Sequence, residues 1–163
     1  MTQPIDPRFI DRLQDAFREG DEHASGKALE AGNVRVVEGV FRAIAGKDFD
    51  ALGELLAEDV TFEIVGPGGG PMAARAEGRG RVVEVARSNF AQVEEQRPEI
   101  LSVVAQGDTV VVVGKERGRF RPTGREYELH WVHHYRLAGG KVVRILELLD
   151  SGALLDAAKP AGG

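Results

Sequence analysis

The stretch 130-HWVHHYRLAGGKVVRILELLD-150 decides how this chain is read. It carries three of the four histidines and two runs of β-branched and aromatic residues, joined at a pair of glycines. Side chains alternate between the two faces of a strand. Extended back to Glu126, the first run places Tyr127, Leu129, Trp131, His133, Tyr135 and Leu137 on one face. Glu126, Glu128, His130, Val132, His134 and Arg136 fall on the other. The histidines are therefore not a cluster: His130 and His134 stand about 13 Å apart along an extended strand, and His133 points the opposite way. No metal site is expected. His130 and His134 read as surface residues. His133 stands alone in an aromatic row, where a histidine is either a core residue satisfied by one hydrogen bond or, facing a cavity, a ligand contact or general acid/base.

The glycine turn sets what faces His133. If Ala138-Gly139-Gly140 is a three-residue loop, Tyr135 faces Val143, His133 faces Ile145 and Trp131 faces Glu147. Glu147 is then a diagonal neighbour of His133, about 7 Å away between β-carbons. A two-residue Gly139-Gly140 turn reverses the parity and sends Glu147 outside. Inside, its carboxyl would be desolvated and its pKa raised toward neutrality, which suits proton transfer.

Upstream, 99-EILSVVAQGDTVVVVGKERGRF-120 reads as a second strand pair turning at Gln106-Gly107-Asp108. The first half of the chain is helical. The segment 5-IDPRFIDRLQDAFREG-20 has Asp6 as a cap, Pro7 in its first turn and Gly20 as a stop, with Phe9, Ile10, Leu13 and Phe17 on one face. A polar linker follows, in which Gly26-Lys27 lacks the glycine pattern of a phosphate-binding loop. Asn33 is the expected cap of a helix bearing Val37, Val40, Phe41 and Ile44. Asp48 caps another, with Phe49, Leu52, Leu55 and Leu56. A short strand, 60-VTFEIV-65, a glycine-rich loop and a third core helix, 81-RVVEVARSNFAQVEE-95, complete this half. Helices followed by antiparallel strands make an α+β plan, a curved sheet wrapped around helices.

At 163 residues the chain is long enough for one domain with a cavity. A net charge of -5 argues against nucleic acid as a partner, and no cysteine is present for disulfides or thiolate chemistry. The N-terminus has no signal-like segment, and no apolar run approaches a membrane span. A cytoplasmic protein with no membrane partner is expected.

The stretches 43-AIAGKDFDALGELLAEDVTFEIVG-66, 77-EGRGRVVEVARSNF-90, 107-GDTVVVVGKERGRF-120 and 130–158 together resemble the SnoaL-like branch of the nuclear-transport-factor-two-like superfamily. The resemblance runs from about Asn33 to Ala158. It implies a cone of three helices against a strongly bent antiparallel sheet enclosing an apolar pocket, commonly as a homodimer. Residues 1–32 would then be a helical extension and linker, 33–158 the cone domain and 159–163 a flexible tail. The ketosteroid isomerase base would fall on Ile64, its tyrosine on Val40 and its protonated aspartate on His133, so that route to steroid isomerisation is not expected. His133 and Glu147 match the histidine and acid of SnoaL-type polyketide cyclases, whose acid is usually aspartate. Limonene epoxide hydrolases place an acid at Glu147 but need an upstream Arg-x-Asp pair, where this chain has Arg117-Gly118-Arg119.

The resemblance turns Glu147 inward and adds Glu116, Gly118 and Phe120 to the pocket. The expected site is thus Glu147 and His133 as the proton-transfer pair, without a cofactor or metal. Phe41, Phe62, Ile64, Phe90, Glu116, Phe120, Trp131, Tyr135 and Ile145 would form the wall around a small apolar molecule bearing a carbonyl or epoxide. The alternative is a ligand-binding or dimerisation module of the same fold without a reaction.

Overall fold

A computed structural model describes residues 7–23, 28–66 and 70–160. Helix α1 (Pro7–His23) is followed by α2 (Ala28–Ala45) and α3 (Phe49–Leu55), then strands β1 (Leu56–Val65) and β2 (Arg75–Glu77). Next come α4 (Arg79–Ala91), β3 (Val93–Gln106), β4 (Thr109–Phe120), β5 (Arg125–Ala138), β6 (Lys141–Leu149) and α5 (Ser151–Ala158). Among the described residues no helix is long and apolar enough to cross a membrane.

The apolar stripes of the helices are buried at the spacing the sequence carries: Phe9, Leu13 and Phe17 on α1, and Val34, Val37, Val40 and Phe41 on α2. Asp6 and the side chain of Ile10 lie outside the described residues. Two helix limits differ from expectation. Helix α1 runs through Gly20 to His23, and α2 begins at Ala28, ahead of Asn33. Ala28, Leu29 and Glu30 are strong helix formers, and Asn33 finds a tertiary partner in place of a capping role. Its amide donates to the Gly107 carbonyl at 3.1 Å, while the buried Glu30 carboxylate accepts from the Gly107 N–H at 2.8 Å. Helix α2 is thereby clamped to the β3–β4 turn. Asp48 does cap α3, accepting from the Ala51 N–H at 2.9 Å.

The six strands form one curved, unclosed sheet in the order β2-β1-β6-β5-β4-β3. It is mixed, not wholly antiparallel, because β1 runs parallel to β6. A parallel pair needs a long crossover, and everything from β2 to β5 supplies it. Strand β2, three residues long, is an addition that its polar sequence did not signal.

The β5–β6 hairpin corrects both sequence readings. Ala138 pairs with Lys141, so the loop is the two-residue Gly139-Gly140 turn, with both glycines at positive φ (57° and 76°). That turn alone would expel Glu147. A bulge follows at once: Leu137 pairs with Val142 but Arg136 with Arg144, leaving Val143 as the extra residue. One inserted residue restores the parity. Tyr135 therefore faces Ile145, His133 faces Glu147 directly, and Trp131 faces Leu149.

Candidate functional site

The inner face of the sheet, α1, α2, α4 and α5 enclose a cavity of about 150 Å³ that opens to solvent on one side. An apolar void of this size elsewhere holds a benzene molecule, so the scale is a small ring or short branched chain. Phe41, Phe62, Ile64, Phe90, Glu116, Trp131, Tyr135 and Ile145 all stand on its wall, together with His133 and Glu147. Phe120 does not. It closes β4 just before the 121–124 turn, where α5 packs back on the sheet, and its ring is buried in the core. Gly118 is also off the wall, covered by the phenol of Tyr127.

Two polar stations interrupt the apolar lining. In the first, His133 Nε2 lies 3.6 Å from Glu147 Oε1, and His133 Nδ1 lies 3.1 Å from the Tyr135 hydroxyl. The imidazole packs against both Phe41 and Trp131, with ring centroids at 5.6 Å and 4.5 Å. Burial drives the His133 pKa down to about 3. Burial, and then the charge of Glu116, drives that of Glu147 up to about 8. The 3.6 Å contact is thus between two neutral groups at neutral pH and is not an ion pair. The residual exposure of these side chains, 15% and 21%, opens on the cavity. The Tyr135 phenol keeps its proton, because burial and then Glu147 push its pKa far up. In the tautomer that accepts this proton at Nδ1, the imidazole proton sits on Nε2, facing Glu147.

The second station is Glu116 on β4. Its Oε1 accepts from the Tyr127 hydroxyl at 2.9 Å and its Oε2 from the Gln96 amide at 3.5 Å. Burial raises its pKa, against the pull of those two donors. Gln96 arrives through a second bulge. Glu94 pairs with Arg119 and Arg97 with Arg117, so Glu95 and Gln96 both stand opposite Gly118, and Glu95 takes a φ of 53°. Such bulges re-aim side chains. Tyr127 and Gln96 were not among the expected site residues. Tyr127 was legible by parity, whereas Gln96 was not, since no local pattern marks its bulge. Phe9 of α1 and Leu154 of α5 also reach the wall, from segments whose docking the sequence left open.

His130 and His134 stay apart from the cavity. His130 is exposed, and His134 lies half-buried on the outer face with its Nδ1 unbonded. No group of three metal-ligating side chains forms among the described residues. Arg117 and Arg119 also face away from the cavity, paired with Glu128 and Glu95.

Residues 37–145 match the SnoaL-like domain family. No curated protein matches the chain. Among solved structures, an NTF2-like protein from Burkholderia xenovorans LB400 is 32% identical over 78% of this chain and 96% of its own, with a TM-score of 0.69. An LEH-like epoxide hydrolase from M. tuberculosis is 19% identical over 78% and 90%, with a TM-score of 0.63. TerC, co-crystallised with polyporic acid, is 20% identical over 77% and 97%, with a TM-score of 0.67. The last two likenesses are of fold.

Proposed function

The chain belongs to the SnoaL-like domain family, and we propose that within it this protein is a cofactor-free acid–base enzyme for a small, largely apolar substrate. The observation that carries the reading is Glu147, a carboxyl buried in an apolar cavity directly opposite a neutral histidine. A desolvated carboxyl with a pKa of about 8 can hold a proton or take one near neutrality. His133 is too acidic as an imidazolium to be the base. Its role is to aim Nε2–H at the Glu147 carboxylate or at an oxyanion on the substrate, with Tyr135 fixing the tautomer. Cyclisation, isomerisation and dehydration of a carbonyl compound, or opening of an epoxide, all use such a pair. The epoxide hydrolase and the polyporic acid complex among the structural neighbours support a small-molecule cavity of this kind. The missing Arg-x-Asp pair argues against the limonene epoxide hydrolase route.

The test needs only a probe with an acidic C–H that fits. A desolvated carboxylate removes the ring proton of 5-nitrobenzisoxazole as the N–O bond breaks, leaving a coloured nitrophenolate. The active form of Glu147 is ionised, so the rate should rise with pH and level off above a midpoint near 8. A rate no greater than that of acetate, or a profile flat across this range, would refute the reading.

The outer face of the sheet supports a homodimer. Val104, Val111, His134 and Leu146 form one row across four strands by register, and Leu148 is also exposed beside it. Sedimentation equilibrium should give twice the 17.6 kDa chain mass, and Val104→Asp with Leu148→Asp should give a monomer. A wild-type monomer at high micromolar concentration would rule this assembly out.

A further inference from the structure

Strand β4 carries Gly114, Glu116 and Gly118 at alternate positions, hence on one face. Across the ladder, Gly114 pairs with Trp131 and Gly118 with Tyr127. Both rings are folded down onto these glycines. A β-carbon at Gly114 would meet the indole at 2.2 Å, and one at Gly118 the phenol oxygen at 2.5 Å. Glu116 therefore rises between two aromatic side chains, its oxygens steadied by Tyr127 and Gln96.

This station has donors arranged for a carboxylate but no counter-charge. None of the residues lining the cavity is lysine or arginine, and the other ionisable carboxyl there is Glu147. A buried carboxylate without a partner is costly. A cation brought by the ligand would supply the missing charge. A bare metal ion does not suit the site, since no set of three ligating side chains forms among the described residues.

We propose that Glu116, flanked by Trp131 and Tyr127, is a subsite for a small organic ammonium group. The inference rests on the cavity being a small-molecule site and narrows the substrate class. The molecule carries a cationic amine at the Glu116 end and its reacting atoms at the Glu147–His133 end.

Choline and its carbon isostere 3,3-dimethylbutan-1-ol have nearly the same shape and differ in charge, and their affinities can be compared by calorimetry. Choline should bind at least tenfold more tightly. Glu116→Gln should abolish that preference without weakening the alcohol, whereas Glu147→Gln should keep it. Should Glu116→Gln not fold, Glu116→Asp withdraws the carboxylate from between the rings and should lower the preference. Equal affinities, no choline binding, or a preference that survives loss of Glu116 would each overturn the proposal. Because the benzisoxazole rate reads Glu147 alone, failure here leaves that measurement standing, and the converse also holds.

Discussion

Glu147→Gln should lose turnover and gain stability together. Glutamine has the shape of the protonated acid but cannot accept a proton, so benzisoxazole cleavage should fall at least about 100-fold. The stability gain follows from the same burial. The folded-state pKa of about 8 lies above the ordinary 4.5, so the folded protein holds this proton more tightly than the unfolded chain does. The stability linked to it is fully present below the unfolded value and drains away as pH rises through the folded one, by about 5 kcal/mol in total and about 3 kcal/mol at neutral pH. Glutamine does not titrate. Urea denaturation should therefore show variant and wild type nearly equal at about pH 4.5 and diverging upward, with the variant the more stable. Equal stability at neutral pH would mean that the carboxyl is not desolvated, and retained turnover would mean that it is not the base.

Gly114→Ala should damage the fold and the cavity at once. The added carbon would lie 2.2 to 2.6 Å from three atoms of the Trp131 indole. The indole cannot yield freely, because it is stacked on Phe41 at 5.7 Å and in contact with His133 at 4.5 Å. Overpacking of this kind costs about 3 kcal/mol, which for a chain of this size lowers the melting temperature by roughly 10 °C. Trp131 is the sole tryptophan, so its fluorescence reports the displacement directly through a red shift in emission. An unchanged melting temperature and spectrum would show that the wall is softer than its packing implies.

The parts of this molecule that period and propensity control were legible in the sequence. The alternation from Tyr127 to Leu137 placed every inner residue of β5 correctly. The helical stripes named Phe9, Leu13 and Phe17 on α1 and Val37, Val40 and Phe41 on α2, all buried, though Ile44 is only partly so and Val34 was missed. The features that escaped depend on single residues without a local signature. The Val143 bulge is invisible because valine suits a regular strand as well as a bulged one. Gln96 lies beyond a helix that sequence periodicity carried too far, at a bulge where glutamate takes a left-handed conformation. The parallel β1–β6 pairing joins segments about 80 residues apart, which no local pattern encodes. Inward placement of Glu147 came from resemblance and not from counting the turn, and the structure reaches it by a two-residue turn whose parity the bulge at Val143 then reverses.

That dependence on parity makes the site sensitive to chain length in a way it is not to composition. Beyond the bulge, β6 presents Ile145, Glu147 and Leu149 inward and Arg144, Leu146 and Leu148 outward. Removing Leu146, beyond the bulge, would turn Glu147 outward and bring Leu148 inward beside Ile145, so the core would still receive two aliphatic side chains. The only irreplaceable loss would be the carboxyl, carried to the exterior. A one-residue deletion, with every functional side chain intact, is then the shortest route from an acid–base cavity to a plain binding cavity on this fold.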